Sequence, residues 1–213
     1  MGKAMASPKR LELLDLLAQG ERTVEALATA AAMGVTNTSA HLQVLRHGGL
    51  VTARKQGTRV YYRLPDDDVA RFTLRFRDLA RARLADVEQA GRDYFGPAED
   101  VQPVTRDELL ARLRTGDVTV VDVRPPEEYA AGHIAGALSV PLDELEARLA
   151  ELPADTGVVA YCRGPFCVYS SQAVRMLREH GHQARRLQDG FPEWRLAGLP
   201  TGARRPAPRR AIG

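Results

Sequence analysis

The sequence predicts two domains: a mainly α unit closed by a short basic hairpin, then an α/β unit built on a parallel sheet. Three observations predict this. A length of 213 residues falls between one large domain and two small ones. The net charge of +3 is unevenly spread: residues 1–65 carry nine Lys/Arg against four Asp/Glu, residues 66–100 six against nine, and residues 101–213 fifteen against fourteen. The apolar pattern also changes, from helical spacing near the start to short apolar strands alternating with helices after residue 104.

Composition narrows the class. Apolar residues make up 44% of the chain, enough for packed cores. The longest apolar runs, Val118–Val121 and Val158–Cys162, are strand-sized, so no membrane partner is expected. The opening MGKAMASPKR lacks the apolar segment of a secretory signal, so a cytoplasmic location is expected. Two cysteines cannot build a disulfide scaffold.

Residues 1–65 are expected to form the first domain. Ser7-Pro8 starts a helix, with a capping hydroxyl and a proline at the first helical position; Leu11, Leu14 and Leu17 follow and Gly20 closes it. Thr23 caps a second helix ending by Gly34. A third runs from about Thr36, turns Leu42 and Leu45 inward, and stops at Gly48-Gly49. Val51, Ala53, Val60, Tyr62 and Leu64 alternate about Gln56-Gly57, which reads as a hairpin. Two helices, a tight turn and a basic hairpin make a winged helix-turn-helix. Its expected partner is double-stranded DNA. Thr36, Asn37, Thr38, Ser39, His41, Gln43 and Arg46 would face base edges, and Arg54, Lys55 and Arg59 would meet phosphates or a minor groove.

The run S-x-H-L-x-V-L-x-x-x-G-L-V from Ser39 to Val51 and the hairpin strand G-x-x-V-x-Y-x-L from Gly57 to Leu64 resemble the ArsR/SmtB family of bacterial repressors. The resemblance implies a homodimer reading a near-palindromic operator. It does not extend to metal sensing: this domain has no cysteine, and His41 and His47 form no ligand cluster, so no metal and no cofactor is expected.

Residues 66–95 read as one long connecting and dimerisation helix of about 28 residues, spanning about 42 Å. Val69, Phe72, Phe76, Leu79, Val87 and Tyr94 form its apolar stripe, and Asp66–Asp68 suit its N-terminus. Residues 96–103 are the expected linker, 104–202 the second domain and 203–213 a basic tail.

In the second domain, VTVVDV, GVVAYC and QARRLQ read as strands, and DELLARLRTG, LDELEARLAEL and SSQAVRMLREHG as helices. Parallel sheets place sites at the carboxyl ends of strands. Both cysteines sit at such an end, in the loop Cys162, Arg163, Gly164, Pro165, Phe166, Cys167 that leads into a helix near Val168. Loop amides, the helix start and Arg163 favour a thiolate at Cys162, the expected nucleophile. Phosphoryl chemistry would need an arginine six residues after it, where Val168 stands. Sulfur transfer remains, with loop amides stabilising a persulfide anion.

DVRPPEEYAAGHIAGALSVP and YCRGPFCVYSSQAVRMLREHGHQARRLQDGFPEW resemble a rhodanese domain. The resemblance puts Cys162 in the catalytic position and makes Asp122, Arg124, Glu128 and His133 rim or structural residues. It implies a small sulfur donor: thiosulfate, a persulfide or a polysulfide. Cys167, in place of the usual basic or hydroxyl residue, weakens the case for thiosulfate. Cys167 is either a small packed residue or a second thiol that attacks a modified Cys162 to form a bridge. The resulting expectation is a repressor whose rhodanese domain carries or senses sulfane sulfur. The alternatives are a sulfurtransferase with an accessory DNA-binding domain and an arsenite or thiophile sensor using Cys162 and Cys167.

Overall fold

Local capping sets most of the first domain. Helix α1 is Gly2–Met5, and α2 runs Pro8–Ala18 with its proline at the first turn; Ser7 is its cap position but makes no side-chain capping bond. The two-residue strand β1, Arg22–Thr23, leads to α3, Val24–Ala30, where the Thr23 hydroxyl accepts the Ala26 N–H as expected of a cap. The predicted recognition helix is α4, Val35–His47. Strands β2, Thr52–Gln56, and β3, Arg59–Arg63, form the hairpin, and β1 adds to it antiparallel in the order β1-β3-β2. Gly57 takes the positive φ of +61° that this turn requires. Leu13, Leu14, Leu17, Leu27, Leu42, Leu45 and Tyr62 are the core.

The computed structural model describes residues 1–84, 103–153, 156–165 and 167–202. Helix α5 spans Asp67–Arg83, 17 residues, and the Asp66 carboxylate caps it by accepting from the N–H groups of Asp68 and Val69. It is shorter than the predicted 28 residues because the chain leaves helical geometry at Leu84, at φ −108° and ψ 100°. The expected continuation through Val87 and Tyr94, most of the linker and the basic tail lie outside the described residues. Phe72, Phe76 and Leu79 leave α5 with an exposed apolar face, which the exposed Leu84 just beyond it extends.

The second domain begins with α6, Arg106–Thr115, capped by Thr105. Then follow β4, Val118–Asp122; α7, Pro126–Ala131; and the short strands β5, His133–Ile134, and β6, Leu138–Ser139. The helix predicted from Leu142 to Leu152 is only a 3₁₀ segment, Glu146–Glu151. Strand β7, Gly157–Tyr161, precedes α8, Val168–Glu179; β8 is Ala184–Arg186, α9 Phe191–Leu196 and β9 Thr201–Gly202. The sheet β6-β4-β7-β8 is parallel throughout, as the apolar strands predicted, with β5 and β9 paired antiparallel beside it. One face packs on α8 through Val174 and Leu177, the other on Leu109 and the fully buried Trp194.

The two domains are pressed together. A Cβ on Gly20 would lie 2.7 Å from that of Ala131, so only glycine allows this approach. Arg71 donates to the Leu196 carbonyl at 3.0 Å, Arg195 pairs with Asp67 at 2.5 Å, and Arg77 pairs with Glu193.

Candidate functional site

Strand β7 ends at Tyr161 and delivers Cys162 to the sheet edge, where it is 1% exposed. Cys167 is the cap position of α8, and its sulfur is joined to that of Cys162 in a disulfide. Between them the loop is tight: the Cys167 N–H donates to the Gly164 carbonyl at 3.0 Å, so that amide serves the turn rather than an anion. Pro165 is half-buried and its carbonyl accepts from Arg186 at 3.5 Å; Val168 opens α8; Phe166 lies outside the described residues. Gly190 supports the loop from below, because a Cβ there would lie 2.3 Å from the Gly164 nitrogen.

The expected rim residues form a buried polar network. Arg124 grips Asp122 through Nη2 at 2.6 Å and Nε at 2.9 Å, and donates to the Gly132 carbonyl at 2.7 Å. Burial works against the Arg124 charge, but the hydrogen bond and charge of Asp122 outweigh it and hold its pKa above the ordinary value. The Tyr161 hydroxyl donates to Asp122 at 2.5 Å; burial and the Asp122 charge push its pKa up, so it stays a donor. Arg163 grips Glu128, whose side chain is fully buried, at 2.5 Å and 2.8 Å. His133 is apart from this network, stacked on the Tyr129 ring at 3.7 Å and bonded to the Tyr129 carbonyl at 2.9 Å.

Sequence reasoning missed the residues that the first domain adds. Arg22 of β1 contacts Glu128 Oε1 at 2.5 Å, the same oxygen that Arg163 holds. Gln19, at the end of α2, accepts from Arg124 at 3.1 Å and donates to the Arg163 carbonyl at 3.2 Å. Asp15, Gln19 and Arg77 face the cysteine loop across a cleft of ≈ 370 Å³ that Cys167 also lines. The sequence carried no signal for them, because their partners lie more than a hundred positions away in the chain. Among the described residues, no group of three or more His, Cys, Asp or Glu could hold a metal, and no helix is long and apolar enough to cross a membrane.

The expected DNA-facing residues divide. Thr36, Asn37 and Arg46 are exposed on α4, as are Lys55 and Arg59 on the hairpin. Ser39, His41 and Gln43 are half-buried; His41 meets Arg10 at 3.4 Å and Gln43 donates to the Tyr62 hydroxyl at 3.2 Å. Thr38 is a correction. It is fully buried, with its hydroxyl bonded back to the Gly34 carbonyl at 3.0 Å, so it holds the helix start together. Arg54 is exposed but engaged: it pairs with Glu21 and lies 4.5 Å over the Tyr61 ring.

The chain matches the profile of the bacterial regulatory protein arsR family over residues 7–53 and that of the rhodanese-like domain over residues 105–197. It is 55% identical over 201 residues to the HTH-type transcriptional regulator Rv0324 of Mycobacterium tuberculosis, covering 94% of this chain and 88% of that protein. A sulfurtransferase of Allochromatium vinosum is 37% identical over 104 residues, 48% of this chain and 96% of that protein. A solution NMR structure from Mycobacterium bovis, of a homodimeric winged helix-turn-helix DNA-binding domain, is 55% identical with a TM-score of 0.38, covering 39% of this chain and 77% of that one.

Proposed function

The chain belongs to the arsR family of bacterial transcriptional regulators, as a member with a C-terminal rhodanese-like domain, and from this premise we propose that it is a homodimeric repressor whose operator affinity is set by sulfane sulfur arriving at Cys162. The observation that carries the reading is the direct backing of the cysteine loop on the DNA-binding domain, through Gln19 on the Arg163 carbonyl and Arg22 on the carboxylate that Arg163 holds.

The chemistry runs in two steps. The Cys162 thiolate takes the outer sulfur of a persulfide or polysulfide, and the donor leaves as its thiolate. Cys167 then attacks the inner sulfur of the Cys162 persulfide; hydrogen sulfide leaves and the Cys162–Cys167 disulfide remains. Forming or opening that bridge changes the loop carrying Arg163 and shifts the seating of β1 and α2. The exposed Thr36, Asn37, Arg46, Lys55 and Arg59 meet the operator, and the apolar face of α5 pairs two subunits.

The sulfurtransferase alternative draws on the likeness to the Allochromatium protein, and the same first step serves it, with an external thiol replacing Cys167 as acceptor. Mass spectrometry of reduced protein treated with polysulfide tests the reading. It expects a transient 32 Da adduct on Cys162, its conversion to the bridge with release of sulfide, and a lasting adduct in Cys167→Ser. An adduct absent from Cys162 overturns it, and steady turnover without any change in operator binding favours the enzyme.

A further inference from the structure

A regulator left in a bridged state needs its bridge opened again, and the protein holds a cleft at the place where this can happen. Asp15 and Gln19 from α2 and Leu74 and Arg77 from α5 form one wall; Gly164 and Cys167 stand on the other. Cys167 lines this cleft and is half-buried, whereas Cys162 is 1% exposed and does not line it. A thiol entering the cleft therefore meets Cys167 before Cys162. The helices α2 and α5 wall the cleft that Cys167 lines, which suits a small molecule and obstructs a cysteine carried on a protein surface.

We propose that this interdomain cleft binds a low-molecular-weight thiol that opens the disulfide by attack on Cys167, and that Asp15, a residue of the DNA-binding domain, takes the thiol's proton. The step balances. The incoming sulfur bonds to Cys167 Sγ as the S–S bond breaks, the electron pair leaves on Cys162 Sγ, and the proton passes to the Asp15 carboxylate. A second thiol attacks the small-molecule sulfur of the mixed disulfide and frees Cys167. Two thiols are oxidised to one disulfide, and the protein bridge is reduced to two thiols.

Asp15 is placed for that task. Its carboxylate has no hydrogen-bond or ion-pair partner among the described residues. Burial raises its pKa to about 6; the Arg77 guanidinium opposes this, and Glu193 and Glu12 add to it. Arg163, the other cation at the cleft, is engaged by Glu128. A base of that pKa is ionised at neutral pH yet stronger than an ordinary carboxylate. The site is complete only when the two domains are docked, so resetting the switch and seating the DNA-binding domain depend on the same contact.

The inference rests on the disulfide and the cleft, not on the identity of the oxidant, so the bridge for its test is made with diamide. Bridge opening in the full chain by 2-mercaptoethanol is followed by acid quench, alkylation and peptide mapping from pH 5 to 8. In the wild type the rate constant rises through about pH 6 and then flattens, because Asp15 is by then ionised. In Asp15→Asn it is roughly tenfold lower or more at pH 7 and climbs in proportion to thiolate across the whole range. The trapped mixed disulfide sits on Cys167. Leu74→Trp, which narrows the cleft and leaves both cysteines in place, slows opening while circular dichroism stays unchanged. A mixed disulfide on Cys162, equal pH profiles for wild type and Asp15→Asn, or faster opening by thioredoxin than by equal concentrations of 2-mercaptoethanol overturns the proposal. None of these outcomes bears on whether polysulfide modifies Cys162.

Discussion

Arg22 and Arg163 hold the same oxygen, Oε1 of Glu128, each at 2.5 Å, although one belongs to the DNA-binding domain and the other adjoins Cys162. A buried carboxylate between two guanidiniums is a joint that neither domain completes alone. Removing it leaves Arg163 without its carboxylate and Arg22 with only the exposed Glu127, 4.0 Å away.

Glu128→Gln is therefore expected to lower stability by about 3 kcal/mol, the cost of breaking a buried pair. The reduced variant should still bind operator DNA, with its affinity no longer changed by polysulfide. Thermal denaturation and fluorescence anisotropy measure the two effects.

Asp15 gives a pH dependence. Its folded pKa of about 6 lies above the ordinary 3.8, so between these values the folded state binds more protons than the unfolded one. Stability is then full near pH 4 and falls as the pH rises toward and through 6. A shift of that size corresponds to at most about 3 kcal/mol, and partial exposure reduces it to about 1–2 kcal/mol. Asp15→Asn removes the loss, so its melting temperature at pH 7.5 should exceed that of the wild type; a lower value would contradict this account of Asp15.

Gly20 tests the docking itself. An added methyl would lie 2.7 Å from the Ala131 Cβ, so Gly20→Ala must push the domains apart. Operator affinity of the reduced protein should stay within about threefold, while the response to polysulfide falls. Small-angle scattering should show a larger radius of gyration.

On the hairpin, Lys55→Ala and Arg59→Ala should each weaken operator binding and reduce the slope of log affinity against log salt by about one. Arg54→Ala should change that slope less, because Arg54 is already paired with Glu21.

Much of this was legible in the sequence, and the rest was hidden for identifiable reasons. Thr23 and Asp66 revealed helix starts because capping is local, and the apolar runs ending at Asp122 and Tyr161 revealed the parallel strands. The cysteine loop could be read from its place after a strand and before a helix. Thr38 misled because its neighbours Thr36 and Asn37 are exposed while the helix turns it inward. The 3₁₀ segment at 146–151 carries the same residues that a longer helix would. Docking could not be read at all. Gln19, Arg22 and Arg77 have the character of ordinary surface residues, and their partners lie more than a hundred positions away in the chain.

Operator affinity measured on one preparation, fully reduced and then treated with polysulfide, tests the central claim most directly, with Cys162→Ser as the comparison. The account predicts a 5- to 150-fold loss of affinity on treatment of the wild type, about 1–3 kcal/mol of coupling, and none in Cys162→Ser. Equal affinity of the treated and untreated wild type, or an equal loss in Cys162→Ser, would contradict it.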